Sequence, residues 1–221
     1  MATKTAKGYK GMGMDGYVAT WYAKITQKNI EDYRKDAKKV AENVTEGGAV
    51  LEVAPGPGYL AIELAKLDHY TIAGLDISAK FVEIAQAKAE EAGVDVDFRQ
   101  GDAARMPFDD ETFDFIICRA AFKNFSQPVI ALDEMYRVLK PGGKALINDL
   151  RRDVSPQTIN QHVDGMGLSR INTRMTKWAF RFMLVKRAYT KDQFKEFAAK
   201  SAFKTCEIKE DPIGLEVWLQ R

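Results

Sequence analysis

The sequence predicts an α/β fold: a doubly wound, seven-stranded, mostly parallel sheet with helices on both faces and an antiparallel hairpin at the C-terminal end. Three observations carry this. Between residues 49 and 150, five short apolar runs alternate with amphipathic stretches, the order expected of strand–helix–strand units in a parallel sheet. Runs such as Phe113-Asp114-Phe115-Ile116-Ile117-Cys118 are apolar almost throughout, as strands covered on both sides must be. The final stretch breaks the alternation with two strand-like runs around Glu210-Asp211-Pro212, and a hairpin there supplies the antiparallel pair at the sheet edge.

The elements follow in order. The first sixteen residues are rich in Gly and Lys and read as a mobile tail, and residues 16 to 41 read as helical. The strands then fall at 49–54, at 70–76, within 94–100, at 113–119 and at 144–150, and the helices between them at 57–67, 78–92 and 127–139. The last of these helices closes on Lys140-Pro141-Gly142-Gly143. After Leu150 come helices near 155–166, 171–186 and 190–200. This divides the chain into an N-terminal tail with covering helices (1–46) and an α/β domain (47–221) that carries a helical insert at about 151–190.

At 221 residues the chain is long enough to bury a full core without disulfides or metals, and 46% hydrophobic with 29% charged residues is the mix of a globular protein. No apolar run is long enough for a membrane span and the N-terminus lacks a signal-peptide core, so the expected location is cytoplasmic. Cys118 and Cys206 have no paired spacing, which leaves them as ordinary buried thiols and offers no metal motif. Charge is informative only locally. Residues 151–191 hold nine Lys/Arg against Asp153 and Asp164, a segment of +7 in a chain whose total is +2. Such an excess is either a solvated face or the approach of an acidic substrate, a membrane surface or nucleic acid.

The densest motif is Val50 to Ala65. A buried strand ends at Ala54, the turn Pro55-Gly56-Pro57-Gly58 follows, and a helix starts at once. Two glycines there let a ligand lie against bare backbone, with the acidic Glu52 just inside the strand. Gly56 to Ala61 also fits the dinucleotide pattern G-x-G-x-x-A. The second strand ends in Asp76, followed by Ile77. A carboxylate there accepts both hydroxyls of a ribose, whether adenosyl or nicotinamide, or else it caps the helix beginning near Ser78. The third strand leads into Gly101-Asp102-Ala103-Ala104, where Asp102 is suited to an exocyclic amino group and Ala103 with Phe108 to the flat ring beside it.

This ordered set over residues 47–150 resembles the class I, Rossmann-like S-adenosylmethionine-dependent methyltransferases, in particular the group that includes quinone-biosynthesis and related small-molecule enzymes. The resemblance implies S-adenosyl-L-methionine as cofactor. Glu52, Ala54, Gly56 and Gly58 would meet its methionine part, Asp76 and Ile77 the ribose side, Asp102 and Ala103 the adenine, and Arg119 and Ala120 the sulfonium end. The aromatics Tyr17, Trp21 and Tyr22 would fold over it. Two departures stand out: Ala54 replaces the first glycine of the family turn, and Lys123-Asn124 stand where relatives often carry adjacent histidines.

For the acceptor side, three residues are candidates for catalysis. His162 sits in the insert with Asp164 two residues on, although a plain surface histidine reads the same way. Asp149 ends the fifth strand and either orients a substrate or caps the next turn; Lys123 either positions a substrate or is solvated. His69 lies by topology away from the site. Along 171–186, one stripe (Ile171, Met175, Trp178, Phe182, Val185) runs beside another (Arg170, Arg174, Lys177, Arg181). An apolar stripe at this spacing ordinarily packs on a core, yet the widened apolar face also suits a lid over a greasy or anionic substrate. It equally suits a peripheral membrane or lipid contact through residues 170–187. A small-molecule acceptor is therefore expected and nucleic acid is not, since the fourth-strand loop lacks an Asn/Asp-Pro-Pro-aromatic motif. The alternatives are a nicotinamide-dependent oxidoreductase and a non-catalytic cofactor-binding regulatory protein.

Overall fold

The computed structural model describes residues 8–10 and 16–221. After helices α1 (Tyr17–Thr26) and α2 (Ile30–Ala41), the chain alternates β1 (Ala49–Val53), α3 (Tyr59–Ala65), β2 (Thr71–Asp76), α4 (Ala79–Ala92) and β3 (Asp97–Gln100). It continues through β4 (Phe113–Arg119), α5 (Pro128–Val138) and β5 (Leu139–Leu150). The insert holds α6 (Pro156–Asp164) and α7 (Arg170–Ala179), which runs on through a π-helical stretch, Phe180–Leu184, into α8 (Val185–Arg187). Helix α9 (Lys191–Lys200) and strands β6 (Glu207–Glu210) and β7 (Gly214–Gln220) complete the chain.

The strands form one seven-stranded sheet in the order β3-β2-β1-β4-β5-β7-β6. The first five run parallel, and β7 pairs antiparallel with both β5 and β6. Chain direction across the sheet reverses between β1 and β4. At such a switch point the loops leaving the carboxyl ends of the strands part, and a crevice opens between them.

The period of two in each strand decides which helices it meets. From β1, Leu51 and Val53 face a core shared with α5 and α9, whereas Val50 faces the core of α2, α3 and α4. In β4, Ile116 and Cys118 go one way, Phe115 and Ile117 the other, and all four are buried. That is why these strands read as continuous apolar runs.

Four details depart from the sequence reading. Helix α3 starts at Tyr59 and not at 57, because the turn before it places Ala54, Gly56 and Gly58 in left-handed backbone. Strand β5 begins at Leu139 and takes in Lys140–Gly143, since Leu139 pairs with Phe113 and Arg221 exchanges backbone hydrogen bonds with Gly142 and Gly143. Within the tail expected to be mobile, residues 8–10 are docked: Tyr9 bridges Phe125, Lys10 N donates to Asn124 O (2.8 Å), and Ser126 N donates to Gly8 O (3.1 Å). The rest of that tail lies outside the described residues. Cys118 is buried, but Cys206 is only partly so.

The insert stands apart from both main cores on a small cluster of its own, Ile159, Val163 and Val185 with Val154 and Phe180 against them. No residue of α7 is buried. The apolar stripe expected to pack on a core instead lies in solvent, save Val185, because the cluster takes up the opposite side of the hairpin.

Candidate active site

The crevice is built first from a turn. Between β1 and α3, Ala54, Gly56 and Gly58 all have positive φ (59°, 56° and 79°), which lets the chain reverse from strand to helix within five residues. Gly58 is demanded by contact: a Cβ there would lie 2.7 Å from Phe98 and 2.8 Å from Ala85. At Gly56 an added Cβ would meet nothing within 4 Å, so bare backbone faces the crevice. Ala54 holds a conformation in which an L-residue is strained by about 1–2 kcal/mol, and this is the position where the family pattern has glycine.

Three carboxylates stand along the carboxyl edge of adjacent strands. Glu52 of β1 is buried and turns one oxygen to the amide of Ala61 (2.8 Å). The cap residue Gly58 has no side chain, so Glu52 satisfies an amide that the start of α3 would otherwise leave without an acceptor. Burial pushes its carboxyl up to about 8, against the opposing pull of the Ala61 amide and Arg119. Asp76 at the end of β2 accepts from Gly56 N with one oxygen and from Ser78 N with the other, both at 2.9 Å. The helix cap that follows is Ser78 itself, which accepts from Phe81 N at 3.3 Å. Asp102, just past β3, accepts from Ala104 N (2.9 Å); Ala103 after it and Ile77 after Asp76 are partly buried. A Cβ at Gly8 would lie 2.3–2.5 Å from the Asp102 carboxylate, so the backbone of the docked N-terminal segment rests on that group.

The fourth-strand side closes the crevice with two ion pairs. Arg119, ending β4, donates to Asp36 of α2 at 2.6 Å, and its guanidinium lies 4.6 Å from the Tyr33 ring centre. Ala120 follows, exposed and with φ of 56°, its amide donating to Asn148 O. Lys123 is 5% exposed, which overturns the solvated reading. Its ammonium donates to Asp149 Oδ1 (2.8 Å) and to Ala120 O, and its amide donates to Asp149 Oδ2 (2.8 Å). Asp149 also accepts from Leu150 N (2.8 Å), so both its oxygens hold the loop after β4 in place. His162 is exposed in the last turn of α6, 5.8 Å from the Phe180 ring and on the insert's own cluster. His69 is exposed beside Glu46 (3.4 Å).

Of the three aromatics expected near the crevice, Tyr22 packs edge-on against Phe81 (5.9 Å), while Tyr17 and Trp21 stand in solvent. Burial pushes the Tyr22 hydroxyl up, with Arg119 opposing and Asp149 and Asp76 adding to the rise. Tyr9 is raised in the same way, opposed by Arg187 and reinforced by Asp76 and Tyr22. Thus the N-terminal segment, α1, β2 and the end of the insert all bring polar groups to one opening. Sequence reasoning missed Tyr9, Tyr33, Asp36 and Arg187. Asp36 sits in a run of mixed charge whose decisive partner is 83 residues away, so no local signal marks it.

Residues 51–147 match the family described as methyltransferase domain. A demethylmenaquinone methyltransferase of Deinococcus radiodurans is 38% identical over 99 residues, covering 44% of this chain and 41% of that protein. The one from Chlorobaculum tepidum is 32% identical over 136 residues, 62% of this chain and 50% of that protein. The matches thus span about half the length of these curated relatives. In fold, a Methanococcus maripaludis protein assigned as an S-adenosyl-L-methionine-dependent methyltransferase superposes with a TM-score of 0.75 at 22% identity, covering 96% of this chain and 97% of that one. Residues 51–147 thus carry the sequence pattern of a methyltransferase domain, and the seven-stranded sheet with its reversed β7 is the Rossmann-like fold of the solved neighbour.

Proposed function

We propose that this protein is an enzyme that transfers a methyl group from S-adenosyl-L-methionine to a small-molecule acceptor. One observation carries the reading: Glu52, Asp76 and Asp102 end three adjacent strands around a turn whose Gly56 backbone is open, inside the segment that matches the methyltransferase family. The residues fit the cofactor. Asp76, held at the end of β2 by the Gly56 and Ser78 amides, is the kind of carboxylate that accepts from the two hydroxyls of a ribose. Ile77 would flank the ribose beside Asp76, Asp102 with Ala103 would hold the adenine side, and Glu52, Ala54, Gly56 and Gly58 the methionine side. Arg119 and Ala120 border the sulfonium end, and Tyr22, flanked by Tyr17 and Trp21, closes over it. When bound, the sulfonium supplies an already activated methyl group, so alignment is the protein's main task.

The chain's own residues bear on the acceptor. Asp149 is engaged by Lys123 and two amides, which makes it a positioning residue for the Ala120–Asn124 loop and leaves it poorly suited to take a proton. An acceptor that ionises readily, or an electron-rich carbon, suits a site without a strong base. Residues 1–46 act as the covering segment and 47–221 as the transferase domain, with the 151–190 insert over the acceptor side. Among the described residues no helix is long and apolar enough to cross a membrane. We place the reaction in the cytoplasm, with residues 170–187 as a peripheral lipid-facing element.

Calorimetry tests the reading. S-adenosylmethionine and its demethylated product should bind and NADH should not; binding of NADH alone would reverse it. Asp76→Ala should weaken cofactor binding by roughly 1.5–3 kcal/mol for each charged hydrogen bond lost.

A further inference from the structure

The outer face of the insert has no covering partner among the described residues. Ile171, Met175, Trp178 and Phe182 are 74%, 65%, 58% and 51% exposed, and their spacing of four, three and four residues places them on one side of the helix. Met166 and Leu168 before α7 and Met183 after it are exposed as well. Beside this stripe run cations without a balancing acid: residues 165–188 contain six Lys/Arg and no Asp or Glu. Lys177 reaches out of the segment to Asp164 (2.7 Å), while Arg170, Arg174 and Arg187 make no ion pair among the described residues.

Between α6 and α7 lies a groove of about 290 Å³, lined by Asn160, Arg174, Lys177, Trp178, Arg181 and Phe182. Arg181 donates to Asn160 Oδ1 (3.3 Å), and its Nε is buried without a hydrogen-bond partner. Such an atom is left waiting for an acceptor, and a buried donor without one costs about 1–3 kcal/mol. The π-helical stretch at Phe180–Leu184 coincides with this groove.

We propose that residues 166–187 dock on an anionic lipid surface, with the apolar stripe entering the acyl boundary and the Arg174–Lys177–Arg181 groove receiving the phosphate of an acidic headgroup. Two rival occupants fit less well. A second copy of the chain would bring the same cations, five of the six without an acidic partner among the described residues, face to face, since a two-fold contact pairs a patch with itself. Nucleic acid would neutralise the cations but leave Ile171 and Met175 in water. A lipid surface satisfies both: aromatic and aliphatic groups are buried while each nearby cation adds to adsorption. Arg187 ends the element within electrostatic reach of Tyr9, whose neighbour Gly8 rests on Asp102 at the crevice, so docking would bring the crevice mouth to the lipid. This deepens the reading of residues 170–187 as lipid-facing and is independent of methyl transfer.

The test is sedimentation of the full chain with vesicles of phosphatidylcholine alone or with added phosphatidylglycerol, with cofactor binding measured in parallel. Binding should require phosphatidylglycerol and fall at least tenfold between ~0.1 M and ~1 M salt. Arg170→Ser/Arg174→Ser/Lys186→Ser should weaken it on the order of a hundred-fold, and Trp178→Ser/Phe182→Ser should abolish it, with cofactor affinity unchanged in both. Equal adsorption to neutral vesicles, or none to acidic ones, would overturn the proposal. So would uptake of free glycerol phosphate without vesicle binding, or a concentration-dependent dimer that the Trp178/Phe182 variant dissolves. Lost cofactor binding with intact vesicle binding would count against methyl transfer alone.

Discussion

Replacing Asp149 by Asn probes the pair that organises the loop after β4. The carboxylate accepts three hydrogen bonds, from the Lys123 ammonium, the Lys123 amide and the Leu150 amide, each at 2.8 Å. Both side chains of the ion pair are nearly inaccessible, at 6% and 1%. An Asn of the same shape keeps one acceptor oxygen but presents an NH₂ to a donor and leaves the ammonium buried without its counter-charge. At about 1.5–3 kcal/mol per charge-assisted bond the ceiling is high, and relaxation of the loop brings the expected loss to about 3–5 kcal/mol. Lys123→Met should cost less, about 2–3 kcal/mol, because two backbone amides still accompany the carboxylate. The double variant should be more stable than the sum of the single losses by about 2 kcal/mol. Urea unfolding at neutral pH, with the denaturant slope checked for constancy, measures all three. Single losses below about 1 kcal/mol, or strict additivity, would refute the argument that the pair holds the loop.

The remaining predictions concern the crevice. Glu52 has its carboxyl raised to about 8 from an ordinary value of 4.5, so the folded state binds the proton more tightly and stability falls as pH rises from about 4.5 to 8. Glu52→Gln should remove that dependence, gaining on the wild type by up to about 4 kcal/mol at pH 9 relative to pH 5; an equal difference at both pH values would contradict the assigned cause. Ala54→Gly should raise stability by about 0.5–1 kcal/mol, relief of left-handed strain outweighing the added freedom of the unfolded chain, and thermal unfolding would reveal a loss if the strain were absent. Arg119→Met should cost stability and loosen α2 from the sheet, seen as faster amide exchange in Ile30–Ala41; unchanged exchange would show that the Asp36 pair does not anchor the helix.

Much was legible along the chain because its causes are local. Strand–helix alternation, the short strong turn from Ala54 to Gly58 and the acids at successive strand ends arise from period, backbone freedom and spacing within a few residues. The terminal hairpin was readable from its own turn, and the sheet order places it at the edge with β7 reversed.

The tertiary structure alone decided what each group meets. Lys123 and Asp149 lie 26 residues apart, and nothing near either announces a buried pair. Arg119 finds Asp36 across 83 residues, and Gly8, whose carbonyl is held by the Ser126 amide beyond β4, comes to rest on Asp102 beyond β3. The stripe on α7 shows the limit most clearly. Helical periodicity states which residues share a face, but whether that face is covered depends on where the hairpin's own small core forms, and here it forms behind Phe180 and Val185, leaving Trp178 and its neighbours in water.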